Sequence, residues 1–127
     1  MAQATVVGVG LVGGLTYLAF SGRGGQCNDF AKATEKVALD TAYANNRGAA
    51  AVIETYPERR GVFDALDVSD DQLASYLRRY VSLLEQHKDA AQAYLDGKED
   101  YATTRMSQLT VSSEELVAEI NAYCKGG

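Results

Sequence analysis

His87 and Met106 are the residues whose types are best suited to hold a cofactor. His87 is the only histidine in the chain, and it falls on the apolar side of a predicted helix that would pack against a second helix carrying Met106. A histidine and a methionine on facing helices can ligate haem in a four-helix bundle. The alternative is that His87 is a core histidine that forms a hydrogen bond with a nearby polar group. A di-iron site of the paired Glu-x-x-His type is excluded, because it needs two histidines.

A second motif with possible chemistry lies near the N-terminus, where residues 8–13 read GVGLVG, a literal GxGxxG. The motif follows Thr5-Val6-Val7 and resembles the strand and glycine turn of a dinucleotide-binding fold. Such a fold needs a second strand that ends in an acidic residue about twenty positions later. Asp29 and Glu35 lie near that position, but in a segment with helical periodicity, and no Val/Ile-rich strand follows. A dinucleotide-dependent enzyme therefore stays the third alternative for function.

The two cysteines, Cys27 and Cys124, belong to no CxxC or Cys/His cluster, so zinc and c-type haem motifs are absent from the sequence. They are either two buried thiols or a disulfide that closes nearly the whole domain. A loop of that length would contribute ~4 kcal/mol to stability, in a compartment outside the reducing cytosol.

The sequence shows no set of residues suited to catalysis or to nucleic-acid binding. The net charge is −5, and no Lys/Arg cluster is present that could neutralise phosphates. The carboxylates, such as Asp70 and Glu114, stand at predicted helix starts, where capping explains them, and a single histidine leaves Ser112 and Ser113 without a complete nucleophile and base set. We expect no catalytic residue, no metal site, no cofactor and no small-molecule substrate.

Residues 1–22 form an apolar, uncharged segment that predicts a transmembrane helix, because 2–20 would span about 28 Å as a helix. Gly10 and Gly14 would let a neighbouring membrane helix approach closely. The alternatives are a cleaved signal peptide, ending near Ala19-Phe20-Ser21, and a lipoprotein anchor at Cys27. Residues 23–27 are predicted to be a flexible hinge.

Residues 28–127 are predicted to form an all-α, up-down bundle of four helical elements. Asn28 or Asp29 would cap the first helix, and 45–48 would stop it. A returning element covers 49–66, with a kink or restart at Pro57. The capping box at 69–72 opens a third helix, which Gly97 ends. The last helix starts near Glu99, with a possible break near Thr110-Val111.

The apolar faces of the last two helices follow the spacing of a bundle seam. The third helix has Leu73, Leu77, Tyr80, Leu84, His87, Ala91 and Tyr94, and the last has Ala102, Met106, Leu109, Leu116, Ile120 and Cys124. An even number of antiparallel helices brings Cys27 and Cys124 to the same end of the bundle, whereas three would leave them ~40 Å apart. Four helices and the disulfide therefore support one another.

The remaining polar and aromatic residues are assigned to packing and to the surface. The chain has eight tyrosines, most of which should pack in the bundle, with the alternative that some form a contact patch for a partner protein. The pairs Arg59-Arg60 and Arg78-Arg79 predict a solvated face, with docking points as the alternative.

Three segments carry a resemblance to a protein family: Gln26-Cys27, the block Leu66–Tyr76 and the closing Glu119–Cys124. After an apolar N-terminal run, they resemble small, poorly characterised, membrane-anchored helical-bundle proteins of cyanobacteria. The resemblance implies a photosynthetic or envelope membrane, with the bundle in the thylakoid lumen or periplasm, and it implies no active site.

The expected function is that of a non-enzymatic accessory or assembly subunit of a larger membrane protein complex. Arg23 alone would favour a cytoplasmic bundle by the positive-inside rule, but the cysteines favour an extracytoplasmic one. The runner-up is a bundle that binds haem or a pigment.

Overall fold

The structure, a computed structural model, describes residues 25–126. The proposed membrane anchor 1–22, with Gly10 and Gly14, lies outside the described residues, as do the GxGxxG motif and positions 23–24 of the hinge. Within residues 25–126 no helix combines the length and the apolar character needed to cross a bilayer.

Four antiparallel α-helices make up the described chain: α1 Gly25–Arg47, α2 Ala49–Asp64, α3 Asp71–Leu95 and α4 Glu99–Gly126. The all-α prediction and the count of four elements are confirmed. Asp29 and Glu35 lie in α1, and residues 25–126 contain no strand. These residues therefore do not form the parallel sheet that the dinucleotide alternative requires.

Two glycine turns and one loop connect the helices. Gly48 and Gly97 have φ of 116° and 91°, a region that favours glycine. Gly48 directly follows α1 and Gly97 lies two residues after the end of α3, so both mark helix ends as predicted. These two turns form the distal end of the bundle. The loop 65–70, together with the start of α1 and the end of α4, forms the opposite end, which we call the disulfide end.

Several predicted boundaries need correction. α1 starts at Gly25 rather than at Asn28, so 25–27 are helical and not part of a hinge. α3 is capped by Asp70 and not by Ser69, because the Asp70 side chain accepts from the Leu73 N–H at 2.9 Å. α4 needs no such correction, because it is one helix, as predicted, and continues through Thr110-Val111.

Pro57 lies inside α2, which neither restarts nor breaks there. Proline removes one backbone donor, but the residues on both sides of it are buried against the neighbouring helices, Val52 and Tyr56 before it and Phe63 after it. Packing along the full length of α2 therefore outweighs the lost hydrogen bond.

The main apolar core, which extends from the disulfide end to Leu84, follows the seams that the sequence predicts. Phe30 and Val37 of α1, Leu73 and Leu84 of α3 and Leu116 of α4 are buried in one cluster. Close helix packing follows the chain order, α1 on α2, α2 on α3 and α3 on α4. One seam residue, Tyr94 in the last turn of α3, is exposed. Leu77 and Met106 are half-buried, and Leu77 packs against the core cluster.

Cys27 and Cys124 form a disulfide with a Cα–Cα distance of 6.2 Å. It joins α1 to α4 at the disulfide end, as helix parity predicts. Within the described chain the backbones of these two helices approach each other less closely than those of consecutive helices, so the bond adds a covalent link where backbone packing is looser.

Candidate functional site

The interior of the bundle contains a layer of polar side chains between two apolar clusters. The larger cluster extends from the disulfide end to Leu84, and the smaller one, at the distal end, consists of Ala44, Ala51, Val52 and Ala91. Between them lie four residues that we call the polar layer: Thr41, Thr55, Arg59 and His87.

Arg59 is the central member of the polar layer, and its side chain is only 1% exposed. Its guanidinium donates to the Thr41 hydroxyl at 3.0 Å, to the Thr55 hydroxyl at 3.2 Å and to the Val52 carbonyl at 2.7 Å. All three partners are neutral oxygens. Burial lowers the pKa of Arg59, partly offset by the fields of Tyr80, Asp40 and Tyr56.

The prediction that Arg59-Arg60 marks a solvated face is therefore wrong for Arg59 and right for Arg60. Arg60 is half-exposed and donates to Asp64 at 3.3 Å. Arg59 occurs one turn after Thr55 and reaches a hydroxyl on α1. Threonines on the inner faces of two facing helices are the sequence signal that could have identified a buried arginine.

His87 is 1% exposed, and neither ring nitrogen has a hydrogen-bond partner. Burial, and secondly the nearby Arg59 charge, lower the pKa of His87 to about 4. The ring is therefore neutral at pH 7. Burial also raises the pKa of Tyr80, in the same region of the core.

The proposed haem ligands are only partly brought together. Gln86 accepts a hydrogen bond from Arg105, so His87 and Met106 lie at the same level of adjacent helices. Met106 is half-buried and lines a cavity at the distal end, whereas His87 does not line it and is enclosed by packing. An iron atom would reach His87 only after the core had opened. Residues 25–126 also contain no cluster of three His, Cys, Asp or Glu side chains that could bind a metal.

The cavity at the distal end, which we call the distal cavity, has a volume of about 360 Å³. Its buried wall consists of Val52, Ala91 and Ala102, and the exposed Tyr94 and Thr103 lie at its rim. The sequence reasoning did not predict this cavity. Its signal is that the buried seam residues change from leucine and aromatic residues to mostly alanine toward the distal end.

The disulfide end is held by polar contacts that involve the loop before α3. The Gln26 side-chain carbonyl accepts from the backbone N–H groups of Ser69 and Asp70 at 2.9 and 3.0 Å. The Tyr123 hydroxyl donates to the Asp70 carboxylate at 2.8 Å. Asp70 therefore caps α3 and binds α4, which fixes the geometry around Cys27 and Cys124.

The large apolar and aromatic side chains that remain exposed in the described chain include a pair on the outer face of α1. Leu39 and Tyr43, one turn apart, are 60% and 65% exposed, and the Arg47 guanidinium lies 5.6 Å from the centre of the Tyr43 ring. We call these three residues the α1 patch.

Comparison of the chain with protein-family models, with curated proteins and with solved structures finds no match.

Proposed function

We propose that this protein is a non-enzymatic accessory or assembly subunit of a larger membrane protein complex, with its helical bundle in the thylakoid lumen or periplasm. The observation that carries the proposal is the Cys27–Cys124 disulfide. Disulfides persist in oxidising compartments and are rare in the cytosol. Residues 1–22, apolar and uncharged, would hold the bundle at the membrane, and Gly10 and Gly14 would pack against a membrane helix of the complex.

The position of the disulfide end supports a defined orientation for the bundle. The described chain begins at Gly25, beside the disulfide, so an anchor at 1–22 would hold the bundle by that end. α1 has 23 residues and is therefore about 35 Å long. The distal end would lie at roughly that distance from the membrane surface.

The α1 patch is the surface that we assign to the partner subunit. Exposed tyrosine and arginine side chains are enriched where proteins bind one another, because they combine large contact area with hydrogen-bonding groups. Leu39 and Tyr43 project from the same side of α1 and are not needed for the core. A partner helix or loop would bury both.

The test is purification of the tagged full-length protein from native membranes in mild detergent, followed by mass spectrometry. We expect membrane-complex subunits to co-purify in a fixed ratio and to be lost when Leu39→Ala and Tyr43→Ala are combined. Val111→Ala, which changes an exposed apolar residue of α4, is the matched control and should retain them. Purification of the protein alone, or equal recovery with the double variant, would contradict the proposal.

The compartment is tested separately by thiol labelling of denatured, non-reduced protein taken from its native cells. We expect no labelling until a reductant is added. Two reactive thiols in that sample would rule out the oxidising compartment, whatever the co-purification shows.

A further inference from the structure

We propose that the distal cavity is a binding site for a small neutral molecule with an apolar body and one hydrogen-bonding group. This site is separate from the α1 patch, and the accessory role does not require it. Its volume of about 360 Å³ lies at the lower end of the range of about 300–1,000 Å³ typical of small-molecule pockets.

The space exists because the sequence places small side chains where the seams of the bundle converge. Toward the disulfide end the same seams carry Leu73, Leu84 and Leu116. At the distal end the buried seam residues are Ala91 and Ala102, and the larger seam residues Tyr94 and Met106 line the gap without filling it. Small-molecule sites occur preferentially between the helices of bundles, and this cavity lies where all four helices meet and opens to solvent, so an occupant has a path into it.

The chemistry of the lining selects the class of ligand. No carboxylate, ammonium or guanidinium group lines the cavity, so a charged ligand would lose its hydration without gaining a counter-ion. The buried wall of Val52, Ala91 and Ala102 suits an apolar body. The polar side chains of the lining are those of Asn45, Tyr94 and Thr103. Tyr94 and Thr103 are exposed, which suits a single hydrogen-bonding group that remains near solvent.

Met106 provides a direct reporter of occupancy. It lines the cavity, and the chain has only one other methionine, Met1. Full-length protein carrying ¹³C-methyl methionine in detergent micelles is titrated with 2-naphthol, a neutral two-ring probe with one hydroxyl. We expect a saturable shift of the Met106 methyl signal. The anionic analogue 2-naphthoate should bind at least tenfold more weakly.

Ala91→Leu fills the cavity and should weaken 2-naphthol binding at least tenfold, whereas Ala122→Leu, an exposed position on α4, should leave it unchanged. The ring signal of His87, the only histidine, shows whether each variant keeps the core, and Ala102→Leu replaces Ala91→Leu if that signal is lost. An unmoved Met106 methyl, or an equal shift in the filled variant, would overturn the site. Equal binding of 2-naphthoate would overturn the neutral class of ligand.

Discussion

Arg59 and His87 place a permanent charge and an unpartnered imidazole in the same layer of the core. Taking a guanidinium out of water is expensive, and neutral hydrogen-bond acceptors recover only part of that free energy. An imidazole that forms no hydrogen bond loses its hydration without compensation. Neither residue is therefore explained by stability alone. Substitution of either one should change the stability of the bundle or a pKa in its core, which substitution of a solvated residue would not do.

The stability of the bundle should fall as the solution becomes acidic. The pKa of His87 is about 4 in the folded chain, below the ordinary value of about 6.5. Well above pH 6.5 the residue is neutral in both states and has no effect on stability. As pH falls toward 4 only the unfolded chain takes up the proton, which lowers the free energy of unfolding by up to roughly 3 kcal/mol.

Urea unfolding of the wild type and of His87→Leu, at pH 7 and at pH 4.5, measures this loss. The variant should be as stable as the wild type or more stable at pH 7, because it removes two unpartnered nitrogens. It should also lose less stability at pH 4.5. Parallel pH profiles for the two proteins would show that His87 is not the group responsible.

Replacement of Arg59 by methionine should raise the pKa of His87, because the Arg59 charge is the second cause that lowers it. An apolar side chain of similar length should also leave the free energy of unfolding within about 1 kcal/mol of the wild type. NMR titration of the single histidine ring measures the first effect directly. Arg60→Met, beside it but half-exposed, should leave the His87 pKa unchanged.

At the scale of the helices, local sequence rules predict the turns better than they predict the interior. Three helix boundaries are predicted correctly: the ends of α1 and α3 from Gly48 and Gly97, and the start of α3 from its acidic residues. Each of them follows from local backbone geometry or capping. Pro57 and Arg59 show the opposite case. Local rules predict a kink or restart at Pro57 and a surface position for Arg59, whereas α2 is one unbroken helix whose buried residues on both sides of Pro57 pack against its neighbours, and Arg59 is buried. The distal cavity could not be predicted from local rules either, because its lining comes from several helices.

Two glycines that differ only in backbone conformation should respond oppositely to alanine. Gly61 is exposed within α2, and an added Cβ would meet nothing within 4 Å, so Gly61→Ala should stabilise the protein by about 0.5–1 kcal/mol. Gly97 has φ of +91°, and Gly97→Ala should destabilise it by about 1 kcal/mol or more. Thermal unfolding of both variants checks the pair, and changes of equal sign would refute the assignment.

Asp70→Ala should destabilise the bundle by about 2 kcal/mol, since it removes the cap of α3 and also the acceptor of the Tyr123 hydroxyl. Asp67→Ala, an exposed change in the same loop, should alter stability by less than about 0.5 kcal/mol. The measurement is the urea midpoint. An equal loss in both variants would assign the effect to the net charge of the loop rather than to the cap.

At the scale of the whole molecule, the number of helices and the position of the cysteines determine the architecture together. The relative position of the two cysteines depends only on the number of helices and on the reversal of direction at each turn. The disulfide could therefore be predicted from the sequence, whereas the buried polar layer, which depends on contacts between helices, could not. The bond joins α1 and α4, which lack the close packing that holds consecutive helices together.

Replacing both Cys27 and Cys124 by serine should lower the free energy of unfolding by about 4 kcal/mol, because the bond spans a sequence separation of 97. Hydrogen exchange should also accelerate most at the start of α1 and the end of α4. Urea unfolding of the oxidised wild type and of the double variant measures the loss. A difference below 1 kcal/mol would mean that helix packing alone holds the two ends.

The disulfide also determines how the bundle would respond to mechanical force. A pull applied to the chain on both sides of Cys27 and Cys124 is carried by the sulfur–sulfur bond, so the four helices between them are not stretched. Reduction would release a chain of separation 97, which extends by up to about 330 Å when drawn out. In the oxidised form, tension along the chain therefore does not reach the α1 patch or the distal cavity. Force acts on the bundle only where another molecule contacts its sides or its distal end.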